Sequence, residues 1–372
     1  MKNESSVYKP RRSRRAEIRA RKKRIFFIRR LTILTILIVL IVSCVTIIKN
    51  MIKPPSIPQS GADNLTNYDD IAFITPEVND YDMLIGNNLD IPEGFTMEDR
   101  KDQFYTFLIL GLDKGVNTDT IMVASYDGIN KEANIISVPR DSLVNVKRKV
   151  KKINAAYPAG NLNGGGKEGG INQLKRELKT IIGFVPDFYI GIDLDGFERI
   201  VDAVGGIDIN VPMDLKYDDP TQDLHTNIKK GQQVLNGENA LKFARYRKGN
   251  NGKNTISDYE RMENQQIVIK AILTKLLKPA NILKIPEFID IFNENIYSDI
   301  KTENMLWFAD QLNRIKGTEA LSTYTMPTTG TSGVPMYYEY LDKDGILELV
   351  NDTINPYKKD IENIHVDIIG GD

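Results

Sequence analysis

The chain has 372 residues and a formal net charge of −1, room for one large domain or two smaller ones. Its single cysteine, Cys44, and its two histidines, His225 and His365, exclude a disulfide framework, a histidine-rich zinc site and a cysteine nucleophile anywhere but residue 44. The near-zero charge hides a split: residues 1–30 hold thirteen Lys and Arg against two acidic residues, so the remainder carries −12.

Leu31 to Ile48 is an uncharged run dominated by Leu, Ile and Val. Its length, at about 1.5 Å per helical residue, gives roughly 27 Å, close to a hydrocarbon core. No small-residue cleavage site follows, so a retained membrane helix over residues 31–48 is expected rather than a signal peptide. The positive-inside rule then makes residues 1–30 a cytoplasmic head and puts the rest outside the cell. The adjoining apolar run accounts for the basic head, and no nucleic-acid partner is expected.

Residues 49–103 read as an extracellular stalk. Pro54-Pro55 and Pro58 stop the helix, and residues 50–103 carry eleven acidic against three basic side chains, a composition that favours a solvated linker. Residues 104–372 read as one domain. Strands are expected at Phe104–Leu110, Ile121–Tyr126 and Ala133–Val138, with Asp127-Gly128 as a turn. Gly160–Gly170 holds six glycines but lacks the phosphate-loop pattern, and reads as a flexible loop ahead of a helix over Ile171–Ile182. A strand at Phe188–Ile192, a helix from Gly196 to Val204 and a strand at Ile207–Val211 follow. Ser257-x-x-Glu260 is a capping box that starts a helix over residues 258–277. Further helices are expected at Leu306–Ile315 and Gly345–Asn351. The alternation predicts an α/β layered domain with both sheet faces covered.

Several side chains stand out as chemistry. Asp113 ends the first strand and Asp119 opens the second, so two carboxylates can converge on a cation; ordinary turn chemistry is the alternative. Arg140 follows Pro139, with Asp141 placed to orient it. Arg245 and Arg247 alternate in a segment expected to be extended, which puts both on one face. Asp258, Arg261 and Gln265 share one helical stripe. Guanidinium forks match phosphate oxygens and stay charged, so this set points to a polyanion, most simply a phosphate or pyrophosphate. A solvated strand face and a wet helix face remain open as readings of the same residues.

Taken together, Asp119-Thr120-Ile121-Met122, Ser137-Val138-Pro139-Arg140-Asp141, Lys152-Ile153-Asn154-Ala155-Ala156-Tyr157, Asp195-Gly196-Phe197, Val201–Ile207, Leu235–Leu241, Ala244-Arg245-Tyr246-Arg247 and Asp258-x-x-Arg261 with Gln265-Gln266 resemble the LytR–CpsA–Psr family of bacterial envelope proteins. The resemblance implies a single α/β/α layered extracellular domain with a central mixed sheet, preceded by one transmembrane helix at the cytoplasmic membrane. It implies a magnesium-dependent transferase that moves a glycopolymer, such as teichoic acid or capsule, from a polyprenyl pyrophosphate carrier to peptidoglycan. By the same likeness Asp113 and Asp119 bind Mg2+, and Asp119, Arg140, Arg245 and Arg247 form the catalytic set. Lys152, Asp258, Arg261 and Gln265 bind substrate. The prenyl chain would need a dry slot, which the apolar runs around Phe188–Ile192 and Ile267–Leu277 could line. Gly115 and Asn117 or Thr118 stand where the family usually has arginines, and Asn264 where it often has another. A membrane-bound regulator, a polyprenyl pyrophosphate hydrolase and a lipid-binding module without turnover are the rival readings.

Overall fold

The computed structural model describes residues 54–57, 91–113, 117–219, 224–276, 278, 281, 284–312, 314–315, 317–333 and 336–370. The expected cytoplasmic head, the membrane helix and most of the stalk lie outside the described residues. Among the described residues no helix is long and apolar enough to cross a membrane.

In chain order, strands β1 (Phe104–Asp113), β2 (Asn117–Asp127) and β3 (Glu132–Ser137) precede helices α1 (Ala156–Gly160) and α2 (Gly166–Ile182). Then come β4 (Phe188–Asp193), α3 (Leu194–Ala203) and strands β5 (Ile207–Val211), β6 (Leu215–Asp219), β7 (Leu224–Ile228) and β8 (Gly231–Leu235). Helices α4 (Gly237–Arg245), α5 (Asp258–Leu276) and α6 (Ile285–Asn295) lead to β9 (Ile296–Ser298) and α7 (Thr302–Leu312). The chain closes through β10 (Leu321–Thr325), β11 (Thr328–Ser332), β12 (Tyr338–Leu341) and α8 (Lys343–Thr353).

The central sheet is mixed, in the order β10-β3-β2-β1-β4-β9. β1, β2 and β3 pair antiparallel, whereas β4 joins β1 and β10 joins β3 in parallel. Strand alternation sends side chains to opposite faces. Leu108, Leu110, Ile121 and Val123 meet Leu174, Leu178 and Ile181 of α2 and Ile346 and Val350 of α8 in one core. Met122, Ala124 and Ile135 face the other way, against Ile269 and Leu273 of α5. Helices therefore cover both faces, as expected of an α/β layered domain. A satellite core under β5 and β8 gathers Ile207, Ile209, Leu215, Ile228 and Phe243.

Two expectations are corrected. Gly160–Gly170 is not a flexible loop: it comprises the end of α1, a π-helical turn over Asn161–Gly165 and the start of α2. Its glycines serve close approach. A Cβ on Gly160 would stand 2.2 Å from the Gly169 carbonyl oxygen, and one on Gly170 would stand 2.8 Å from the Tyr157 ring. Residues 91–103 do not extend away from the domain but pack on it. Arg100 bonds Asp187 at 2.8 Å, the Lys101 N–H donates to the Pro356 carbonyl at 2.9 Å, and Phe95 stands edge-on to Tyr357.

Candidate active site

Local structure delivers each charged side chain to one end of the sheet. β1 and β2 pair regularly until a bulge: Gly111 opposes Thr120, but Leu112 opposes Thr118. Asp119 is the extra residue, and a bulge re-aims such a residue out of the regular alternation. Pro139 ends the β3 segment, and Arg140 beyond it reaches Asp119 at 3.2 Å. The side chain of Asp113 lies outside the described residues, so its part in a metal site rests on its place at the end of β1.

The capping box forms as the sequence predicts. The Ser257 N–H donates to Glu260 at 2.7 Å, and the Glu260 N–H donates to the Ser257 hydroxyl at 3.1 Å. This fixes Asp258 in the first turn of α5 and turns Arg261 and Gln265 inward, where both are buried. Gln266 ties the helix to the sheet, donating to the Ser137 hydroxyl at 2.9 Å and the Tyr324 carbonyl at 2.9 Å. The polar stripe is thus a buried wall and not a wet face.

Arg245 and Arg247 do not lie in an extended segment. Asn236 caps α4 by accepting from the Asn239 N–H at 3.0 Å, and the helix runs through Arg245 before Tyr246 leaves it in an extended conformation. The helix-favouring residues between them carry the turn further than the Arg-Tyr-Arg alternation suggested. Both arginines nevertheless line the same cavity.

Asp258 is the hub. Its carboxylate lies 2.9 Å from Arg247, 3.5 Å from Arg140 and 3.6 Å from Arg261. Asp141 binds Lys152 at 2.8 Å and stands 3.8 Å from Arg140, so its close partner is Lys152 rather than Arg140. The Nε atoms of Arg140 and Arg261 are buried without a hydrogen-bond partner among the described residues. Burial, then the neighbouring Arg140 charge, pulls the Arg261 pKa down, and Asp258 opposes both. The named side chains comprise five cations against Asp119, Asp141 and Asp258, an excess suited to an anion.

Three residues escaped the sequence reading. Glu339, buried on β12, accepts from the Tyr259 hydroxyl at 2.8 Å and the Tyr337 hydroxyl at 3.1 Å. Burial, followed by the Glu339 charge, pushes the Tyr337 phenol up to about 12. The only sequence signal was Tyr259 beside Asp258, because β12 lies far along the chain.

Below the charged rim a cavity of about 630 Å³ runs between the sheet and α5. Asp119, Arg140, Arg245, Arg247, Arg261 and Gln265 border it at the rim. Its depth is apolar, with Ile190 and Ile192 of β4 and Ile269, Ile272 and Leu273 of α5 among its walls. Lys152 and Asp258 reach the rim through their ion pairs.

The donor set suits an open oxygen site only. Among the described residues no group of three or more His, Cys, Asp or Glu could hold a metal ion. The Asp119 carboxylate is partly exposed beside Arg140. Magnesium takes one or two carboxylates plus substrate phosphates, and that demand fits Asp119 with Asp113 nearby in the chain.

Fold and site define a mixed α/β domain with a cationic rim over an apolar cavity. The family model of the LytR_cpsA_psr family matches residues 80–354, and the chain belongs to that family. It is 31% identical over 214 residues to the polyisoprenyl-teichoic acid–peptidoglycan teichoic acid transferase TagV of Bacillus subtilis (strain 168), covering 55% of this chain and 51% of that protein. It is 28% identical over 235 residues to the regulatory protein MsrR of Staphylococcus aureus (strain COL), covering 61% of this chain and 66% of that protein. The chain thus spans about half to two thirds of the length of these relatives. The crystal structure of B. subtilis TagV is similar at a TM-score of 0.55 and 26% identity, over 68% of this chain and 96% of that one.

Proposed function

We propose that this chain is a membrane-anchored phosphotransferase that moves a glycopolymer from a polyprenyl pyrophosphate carrier to peptidoglycan. The observation that carries this reading is the joining of an arginine rim to an apolar cavity, which suits an amphiphile with an anionic head and a hydrocarbon tail. The names of the teichoic acid transferase relatives support the polymer and the acceptor.

In this reading Arg140, Arg247 and Arg261 bind the pyrophosphate oxygens, with Arg245 and Lys152 beside them. Asp258 holds three of these guanidiniums in place before the ligand arrives, so little reorganisation is needed at reaction. A peptidoglycan hydroxyl attacks the sugar-linked phosphorus. A new P–O bond forms, the anhydride P–O bond breaks, and polyprenyl phosphate leaves with the negative charge that the arginines stabilise. The hydroxyl proton passes to a general base as the new bond forms. Magnesium held by Asp119 and Asp113 would supply further charge neutralisation on the phosphates. The prenyl tail lies in the cavity, away from water, and residues 31–48 hold the domain at the membrane.

The test is a purified full chain incubated with a lipid-linked donor and peptidoglycan. Polymer appearing on glycan supports transfer. Free polymer ending in a phosphate, released with polyprenyl phosphate and with no polymer on glycan, identifies a hydrolase. No product of either kind, together with co-purified lipid, identifies a binding module. MsrR carries the name of a regulator, and deleting residues 1–28 separates that reading: a transferase keeps its chemistry, a regulator loses its effect.

A further inference from the structure

We infer that the hairpin from Val144 to Lys152 is a docking rail for a phosphodiester-linked polymer, guiding the donor's polymer chain away from the reacting pyrophosphate. The inference rests on the transferase reading for the polymer's point of attachment. Lys147-Arg148-Lys149-Val150-Lys151-Lys152 places five cations in six residues, and no acidic residue occurs from Ser142 to Ala156. The run interrupts an acidic body, which carries −12 after residue 30 even with these five cations counted.

The hairpin is built and not merely solvated. The Val144 N–H donates to the Lys151 carbonyl at 2.9 Å, and Leu143 bridges Lys152 antiparallel. Arg148 folds inward: its guanidinium donates to the Val150 and Lys152 carbonyls, each at 2.6 Å, and pairs with the buried Glu177. Its charge is spent on holding the loop's shape. Asp367 accepts from Asn145 at the hairpin's start. Lys147 and Lys149 are exposed and Lys151 is half-buried. Among the described residues none of these three lysines makes an ion pair.

The rail is continuous with the rim. Its last member, Lys152, binds Asp141 at 2.8 Å and lies 5.8 Å from the centre of the Tyr337 ring. Lys151, Lys149 and Lys147 precede Lys152 in the same hairpin, so a polymer leaving a head group held by Arg140 and Lys152 finds these charges on the adjoining element. A neutral glycan gains nothing from those charges; a chain with a phosphate in every repeat gains at each one.

The experiment uses the full chain in nanodiscs of phosphatidylcholine, with and without phosphatidylglycerol, and two soluble probes, poly(glycerol phosphate) and neutral dextran. The wild type is expected to bind the phosphate polymer and not dextran, and the polymer is expected to shield Lys147, Lys149 and Lys151 from acetylation. K147Q/K149Q/K151Q is expected to bind it about tenfold less tightly, with a shallower salt dependence. Turnover of a donor bearing a single sugar should stay at the wild-type rate, which also reports an intact fold. Equal polymer affinity of the two proteins, or equal binding of dextran, would overturn the rail. So would shielding of the lysines by phosphatidylglycerol in the nanodisc but not by the polymer, which would mark a lipid-facing surface. If the wild type transfers no donor yet binds the polymer through these lysines, the transferase reading falls and the rail stands.

Discussion

Asp258 and Arg140 meet at 3.5 Å, although one opens α5 and the other follows β3. The contact joins helix to sheet at the rim of the cavity and lets one carboxylate order guanidiniums from three separate segments. Asp258→Asn keeps the side chain's size and removes the charge. It is expected to lower turnover about tenfold or more, because the arginines lose their preset geometry. It should also tighten the binding of inorganic phosphate, since that ion no longer competes with an internal carboxylate. Calorimetric titration of both proteins with phosphate checks the second half.

Arg247 and Arg261 should separate activity from stability. The Arg247 side chain is 52% exposed and that of Arg261 only 6%. Arg247→Ala is expected to cut turnover about a hundredfold with no change in the melting temperature. Arg261→Ala should cut turnover comparably and also lower the melting temperature, because it opens a void beside Asp258. Thermal unfolding run beside the donor assay checks both.

Divalent cation dependence is a separate expectation. Activity should vanish in excess chelator and return with magnesium. Asp119→Asn should raise the magnesium concentration needed for half-maximal rate rather than merely lower the maximum. Full turnover in chelator would remove the metal from the mechanism.

The cavity can be filled from the sheet side. Ala124 on β2 borders it, and a phenylalanine suits a strand. Ala124→Phe is expected to exclude long-chain prenyl donors while donors with a short tail still react. The ratio of the two rates, measured on one preparation, is the readout.

Gly170→Ala tests the packing of α1 on α2. The added methyl would meet the Tyr157 ring and the Tyr157 carbonyl oxygen, each at 2.8 Å. A destabilisation of about 1–3 kcal/mol is expected from such overpacking, read as a fall in denaturant midpoint. A flexible loop would accept the change without loss.

These cases show what the sequence could and could not carry. β1, β2 and β3 were legible because Leu108, Leu110, Ile121 and Val123 alternate with residues of the opposite face, and a period of two has one simple meaning. The start of α5 was legible because its cap is local. The function of the Asp258, Arg261 and Gln265 stripe was not, because a polar face turned to water and one turned to a charged cavity read alike. The glycines at 160–170 were misread because glycine permits both freedom and close approach, and only a neighbouring backbone decides between them. Glu339 was invisible because it meets Tyr259 of α5 across 80 residues of chain, and the neighbouring Tyr337 carries no signal by itself.

The position of Asp258 also bears on which anions the rim can select. An ion with a single charge merely exchanges one carboxylate contact for another when it displaces Asp258, and its net gain is small. A ligand with two linked charges can instead engage the guanidiniums of Arg140, Arg247 and Arg261 together, all three of which Asp258 contacts. Under the proposed transferase function, the internal carboxylate would set a threshold on ligand valence, discouraging abundant small anions while leaving the rim open to a diphosphate.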